Sequence, residues 1–228
     1  LLDHARAFLS CTGWLSQTDP QFAAAVLQKA SILTALRGET VWQAGDEAGG
    51  LFGIVEGDVS FYTAAGASGA PLLHIAGPGF WTGEGTIITG QPKRISLVTR
   101  VALKALVVSR TEMMRLLEAR PEWWREIGRL AIELQQVAAG GASDLLLPSS
   151  PVRCAAVLLR ICGRRLNDAS GRSEIHVSHD EMGQMSGIGR QAAARSLAVL
   201  EERGLIRSRY GKIELLDTAR MRQMVDEA

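Results

Sequence analysis

The chain has little of three things: cysteine, net charge and uninterrupted apolar sequence. Its three cysteines, Cys11, Cys154 and Cys162, form no CxxC and no Cys/His spacing in 228 residues. That argues against a disulfide framework, a zinc site or a cysteine-ligated iron–sulfur cluster. No stretch of about 18 apolar residues is free of charge, so no membrane-spanning helix is expected. The formal net charge is only +1 while 46% of residues are hydrophobic, which excludes disorder as the main state. There is no P-loop, GxSxG or HExxH motif and no clustered carboxylate pair, so nothing points to an enzyme. The start, Leu1-Leu2-Asp3-His4, is not a signal peptide and lacks a methionine. Residues preceding Leu1 and a reduced, cytoplasmic protein are therefore the expectation.

What is present is unevenly spread. Residues 1–147 carry 12 Lys/Arg against 14 Asp/Glu, whereas residues 148–228 carry 13 against 10, all but one of them arginine. The basic sign at the C-terminal end suits a nucleic-acid module. Residues 1–35 are helical in pattern, with Asp19-Pro20 as N-cap and first helical position and Phe22, Val26 and Leu27 at helical spacing. Residues 36–111 hold 13 of the 24 glycines and read as short strands between turns: Glu39–Gln43, Leu51–Glu56, Val59–Thr63, Leu72–Ala76 and Leu97–Leu103. That rhythm suggests a sandwich or roll.

Helices follow. Ser109 or Thr111 caps one carrying Met113 and Leu117, and Pro121 opens a longer one. Its apolar positions Trp124, Ile127, Ala131, Leu134, Ala138, Gly141 and Leu145 alternate in steps of three and four. Such a stripe pairs with a copy of itself or packs against its own domain. Gly140-Gly141 weakens the helix by about 1 kcal/mol per glycine and marks a hinge or a close approach. Leu147-Pro148-Ser149-Ser150-Pro151 is a break and a domain boundary. Beyond it come a helix from Pro151 to about Asn167, a strand over Glu174–Val177, then two helices and a hairpin.

The last region is the most specific. Ser178 and Glu181 make a capping box on a short helix ending near Met185, and Ser186-Gly187-Ile188-Gly189 is a tight turn. A second helix runs from about Gly189 to Arg203, with Ala193, Leu197 and Leu200 inward and Arg190, Gln191, Ala194 and Arg195 outward. Gly204 stops it, and two alternating strands flank Tyr210-Gly211. Helix, turn, helix and hairpin make a winged helix-turn-helix. Arginine can bond guanine O6 and N7, and glutamine adenine N6 and N7. Arg207, Arg209 and Lys212 on the wing, with Ser178, would meet phosphates, which give affinity without sequence information. His176 and His179 flank the reading helices and either touch phosphate or are solvated.

Across nearly its whole length the chain resembles the Crp/Fnr family of bacterial transcription regulators. The segment Gly38-Glu39-Thr40 to Val59 is similar to the opening of a cyclic-nucleotide-binding β-roll, and Gly79-Phe80-Trp81-Thr82-Gly83-Glu84 followed by Pro92-Lys93-Arg94 to its phosphate cassette. The resemblance implies an α+β chain. A double-stranded β-helix, jelly-roll-like sensor domain would span 1–118, a dimerisation helix with its hinge 119–147, and a winged helix-turn-helix domain 148–228. It further implies a homodimer joined through Ile127, Ala131, Leu134, Ala138, Gly141 and Leu145, a palindromic duplex DNA site, a contact with RNA polymerase and a small effector in the roll. The other class weighed is a cyclic-nucleotide-binding module acting on a protein partner.

In the cyclic-AMP-binding members a Gly-Glu pair and an Arg-Ser pair hold the cyclic phosphate and ribose. Here Gly83, Glu84 and Arg94 match, but the serine position is Ile95 and the aspartate before the aromatic is Phe80. The adenine-reading Thr-Ser pair falls at Ala138-Ala139. One donor lost to a buried phosphate costs about 1.5–3 kcal/mol, so cyclic AMP is disfavoured and the effector is unknown. The alternative role of Glu84 and Arg94 is an ion pair within the roll. No haem, metal or cluster is expected: only Cys11 lies near the N-terminus, and His74 reads as a packed strand residue. Where many members carry an acid after Arg190 this chain has Gln191, which predicts a changed base step.

Overall fold

The computed structural model describes residues 1–63, 70–165, 172–209 and 211–228. They form two compact units, one of residues 1–71 and 75–135, the other of residues 72–74 and 136–228.

The first unit opens with α1 (Leu2–Cys11) and α2 (Pro20–Lys29), joined by a 3-10 turn. The Asp19 carboxylate accepts the amides of Gln21 and Phe22, both at 2.9 Å, and caps α2 as the sequence implies. Then come β1 (Ser31–Ala35), β2 (Thr40–Trp42), β3 (Leu51–Glu56), β4 (Val59–Thr63), β5 (Leu72–Ala76) and β6 (Trp81–Thr82). After them run α3 (Glu84–Thr89), β7 (Ile95–Thr99), β8 (Leu103–Val108), α4 (Arg110–Ala119) and α5 (Trp124–Leu146). The strands make two four-stranded sheets, ordered β1-β8-β3-β6 and β2-β7-β4-β5, the roll expected from the strand rhythm.

Three expectations shift. Residues 31–35, placed in the helical zone, are strand β1, because antiparallel pairing of Ser31 with Val107 through Ala35 with Leu103 outweighs local propensity. The expected strand Leu97–Leu103 is split between β7 and β8, and most of β8 was not anticipated. Pro121 opens a 3-10 turn, with α5 proper starting at Trp124.

The unit has two apolar layers. Phe52, Ile54, Phe61, Leu97 and Leu103 fill the inside of the roll. Phe22, Leu51, Trp81, Leu106, Met113 and Ile127 join the helices to the outer side of the β1-β8-β3-β6 sheet. Edge-to-face rings bind this layer, with Trp14 at 5.8 Å from Phe22 and 5.9 Å from Trp81.

The second unit holds the end of α5, α6 (Ser150–Ile161), β9 (Glu174–His176), α7 (His179–Ser186), α8 (Arg190–Glu202), β10 (Ile206–Arg209), β11 (Lys212–Leu215) and α9 (Thr218–Asp226). The strands form one antiparallel sheet, β10-β11-β9. Helix α6 ends at Ile161, short of Asn167, because Gly163 takes a left-handed conformation (φ 69°); Asn167 itself lies outside the described residues, as does Tyr210 of the hairpin turn. Helix α9 was not anticipated.

Every α6 residue from Cys154 to Ile161 is buried, including Arg160. Its guanidinium bonds to the Asp144 carboxylate at 2.8 Å, with side chains only 5% and 2% exposed. A Cβ added at Gly141 would touch that guanidinium at 3.5 Å, and one at Gly140 the Arg160 Cδ at 3.5 Å. Both are ordinary van der Waals distances, so the space beside Arg160 does not itself require glycine at either position.

Candidate nucleic-acid interface and effector pocket

The reading helix is positioned by local chemistry. Ser178 Oγ accepts the Glu181 amide at 3.2 Å, and Glu181 Oε2 accepts the Ser178 amide at 2.8 Å. The Ser178 hydroxyl also donates to the same Oε2 at 2.9 Å. The capping box thus occupies Ser178 with Glu181. This geometry makes Ser178 a cap for α7, with its polar groups already committed. Gly187 (φ 63°) turns the chain, and a Cβ at Gly183 would lie 2.7 Å from the Ile188 carbonyl oxygen. Gly183 is therefore required where helix and turn meet, and a glycine inside a predicted helix was its only sequence signal.

Helix α8 buries Ala193, Ser196, Leu197 and Leu200, while Arg190, Gln191 and Arg195 are exposed and Ala194 is half-buried. The 3.6-residue period puts these four on one outward face near the helix start. The wing follows at once, tied to α8 where the Ser208 amide donates to Glu201 at 2.7 Å. Its basic residues Arg207, Arg209 and Lys212 all lie on the outer face of the sheet, opposite a layer of buried Ile175, Ile206, Ile213 and Leu215. Two of them are paired: Arg207 with Glu214 at 3.1 Å and Lys212 with Glu174 at 2.5 Å. Sequence reading weighed the cations and missed these acids, which become neighbours only through strand pairing.

The pocket side departs further from its motif. Gly83 (φ 109°) starts α3, and a Cβ there would lie 2.0 Å from the Gly50 carbonyl oxygen, so only glycine fits. Burial pushes the Glu84 carboxyl up, while the backbone at 84, 83 and 85 hydrogen-bonds it and pulls the other way. Its buried Oε2 has no hydrogen-bond partner. Arg94 is exposed, and no ion pair joins it to Glu84 among the described residues. Ile95 leans on the apolar inside of the roll together with Phe80 and Trp42. Its carbonyl accepts the Trp42 indole N–H at 3.0 Å. Phe61 and Phe80 meet edge to face at 5.5 Å, and Trp42 and Phe52 at 5.2 Å.

The long-helix stripe divides. Ile127 is fully buried in the core of its own unit, so it has no surface to offer a partner. Leu134 packs against the same core, Ala131 is half-buried, and Gly141 lies against Arg160. Ala138 is exposed and Leu145 is 45% exposed. The open apolar positions of α5 are instead Trp124, Ile132, Leu145 and Leu146. Apolar spacing shows where a helix is greasy but not what covers it.

His74 is pushed down to about 3, chiefly by burial and then by Arg160 and Arg172. Its neutral ring meets Arg160 through Nδ1 at 3.3 Å. Among the described residues no group of three or more His, Cys, Asp or Glu could hold a metal ion, and no helix is long and apolar enough to cross a membrane.

A roll with a glycine-started cassette helix, followed by a capped helix-turn-helix and a charged wing, is the architecture of a DNA-binding transcription regulator. Residues 33–120 match the cyclic nucleotide-binding domain model and residues 152–224 the Crp-like helix-turn-helix domain model. The chain is 26% identical over 217 residues, 93% of its length and 96% of the relative's, to a CRP-like cAMP-activated global transcriptional regulator of Mycobacterium tuberculosis. Its fold is similar to that of FixK2 from Bradyrhizobium japonicum (TM-score 0.72, 18% identity, 86% of this chain and 96% of that one). A CRP-family transcriptional regulator from Thermus thermophilus is similar as well (TM-score 0.65, 23% identity, 86% and 97%). The chain belongs to the Crp/Fnr family. Its relatives and its fold are those of transcription regulators, not of enzymes.

Proposed function

We propose that this regulator acts in the cytoplasm as a homodimer that reads a palindromic DNA site, with control exerted through the roll by a signal other than cyclic AMP. In this reading 1–118 is the sensor, 119–147 the dimer helix and hinge, and 148–228 the DNA-binding domain. The outward face of α8, with Arg190, Gln191 and Arg195 exposed and Ala194 half-buried, carries it. Arg190 and Arg195 would take guanines and Gln191 an adenine, with Arg207, Arg209 and Lys212 on phosphates. Two such helices about 34–36 Å apart would read half-sites one turn apart. Trp124, Ile132, Ala138 and Leu145 are the surface offered to the second copy, and a contact with RNA polymerase follows from the role.

The mycobacterial relative is described as cAMP-activated. Against the same effector here stand an apolar Ile95 on the roll's inner layer, an exposed Arg94 and a Glu84 engaged by its own backbone. Gly83 and Glu84 would still frame a ligand, but with fewer donors for a phosphate. Two measurements test the reading. Selection from a randomised duplex library should enrich a two-fold symmetric site, and an unsymmetric or absent site would overturn the dimeric reading. Calorimetric titration with cyclic AMP should show no saturable micromolar binding; clear binding would restore cyclic AMP as effector.

A further inference from the structure

The outer face of the β10-β11-β9 sheet carries two rungs of ionisable residues. Antiparallel register places Arg207, Glu214 and Glu174 across one rung and Arg209, Lys212 and His176 across the next. The alternate residues Ile175, Ile206, Ile213 and Leu215 are buried, so neither rung can turn inward without exposing the core. Within this lattice Arg207 meets Glu214 at 3.1 Å, and Lys212 reaches diagonally to Glu174 at 2.5 Å. Glu174, Arg207, Arg209, Lys212 and Glu214 line a single polar cleft.

We infer that Glu174 and Glu214 are selectivity residues of the DNA interface, holding Lys212 and Arg207 on carboxylates so that the wing binds phosphate weakly unless the reading helix has docked. The inference rests on the DNA-binding reading of α8 and the wing.

The reasoning is electrostatic. The face sets three cations, Arg207, Arg209 and Lys212, against two anions, with His176 beside them. Without the acids all three positive charges would face phosphate. Phosphate contacts give sequence-independent affinity, and each one adds about 0.9 to the steepness of the salt dependence. A regulator searching a genome gains from lowering that term, because the useful quantity is the ratio of specific to non-specific binding. The carboxylates do not forbid contact, since exposed ion pairs exchange easily. They remain beside the cations, however, and repel any phosphate that is not held by other contacts. Glu174 stays ionised, its carboxyl held low by the Lys212 hydrogen bond and by the charges of Lys212, His176 and Arg209.

The test uses the full chain and its Glu174→Gln/Glu214→Gln double variant. Fluorescence anisotropy would measure binding to two duplexes of about three helical turns. One has random sequence; the other is the duplex that the parent enriches from a randomised library. At about 0.1 M salt the variant should bind the random duplex about five- to tenfold tighter, with a salt slope steeper by about 1 to 2. The enriched duplex should gain less, so the ratio between the two falls. A Glu118→Gln/Glu122→Gln variant makes the same charge change on the exposed 118–122 segment and should leave the ratio alone. Unchanged affinities, an equal gain on both duplexes, or the same effect from the control pair would each overturn the inference while leaving the DNA reading intact. Failure of the parent to hold either duplex even at low salt would overturn both.

Discussion

The two halves of this regulator treat their motifs in opposite ways. In the winged half the chemistry sits outside: Arg190, Gln191, Arg195, Arg207 and Arg209 are exposed, and their supports are buried. In the roll the scaffold persists and the chemistry is turned away. Gly83 keeps a left-handed conformation that admits no side chain, yet Ile95 leans on the apolar layer and Arg94 points to solvent. A glycine required by the backbone can therefore be present without the polar groups of the motif around it. A glycine pattern is evidence for a fold before it is evidence for a ligand.

The largest effect should come from the buried pair in the second unit. Arg160→Met leaves Asp144 without its partner, which costs about 3–5 kcal/mol for an uncompensated buried charge. Replacing both, as Asp144→Leu/Arg160→Met, should recover most of that loss. All five tryptophans (Trp14, Trp42, Trp81, Trp123 and Trp124) lie in the first unit. Denaturant unfolding followed by tryptophan fluorescence should stay near the parent while the circular dichroism transition moves. If both probes shift together, the halves are not energetically separate and the comparison between them weakens.

Next in size is the reading helix. Arg195→Ala should cost about 1–3 kcal/mol of specific binding, the worth of one bidentate base contact, and flatten the preference at one base step. Arg94→Ala, made in the roll, should leave that affinity unchanged. Anisotropy on the enriched duplex separates the two. Equal losses would mean that the roll's arginine supports DNA binding and that its exposure is misleading.

Legibility followed the range of the signal. The cap on α2, the capping box on α7, the glycine turn and the hairpin are local, and they were readable because neighbours in sequence make each other's hydrogen bonds. Strands β3, β4 and β5 were bounded by turns and matched to the residue. What failed was long-range. β1 is a strand because β8 lies beside it, and Glu174 faces Lys212 because β9 pairs with β11. Ile127 has the spacing of a dimer contact, and only the first unit's core shows otherwise. Arg160 did leave a trace, as a lone cation in the apolar run Cys154–Cys162.

A smaller, pH-dependent effect belongs to His74. Its ring is held at about 3 in the fold against 6.5 for the free side chain. The unfolded chain therefore binds the proton first as pH falls, and stability is lost progressively from about pH 6.5 downward. The slope is at most about 1.4 kcal/mol per pH unit. Burial raises the Asp144, Glu84 and Glu133 carboxyls, which act with the opposite sign, while cation partners hold Glu112 and Glu174 low, so the parent curve alone mixes several groups. The difference between parent and His74→Gln isolates the histidine. The variant should lose less stability than the parent between pH 6.5 and 4, and parallel curves would show that His74 is protonated in the folded chain.

The smallest effect is the sharpest probe of the roll. Ile95→Ser restores a hydroxyl donor beside Arg94 and removes an apolar group from the inner layer. One hydrogen bond to a charged acceptor is worth about 1.5 kcal/mol, close to tenfold in affinity. If the missing donor is the main reason that cyclic AMP is a poor ligand, calorimetry on Ile95→Ser should show binding about tenfold stronger than in the parent. No gain would move the explanation elsewhere in the pocket. Glu84 would then be the group to change, because its buried carboxyl stands at the start of α3, beside the amides that a phosphate would need. A gain well beyond tenfold would mean that Ile95 also fills ligand space, so that the roll is closed by shape as well as poor in donors.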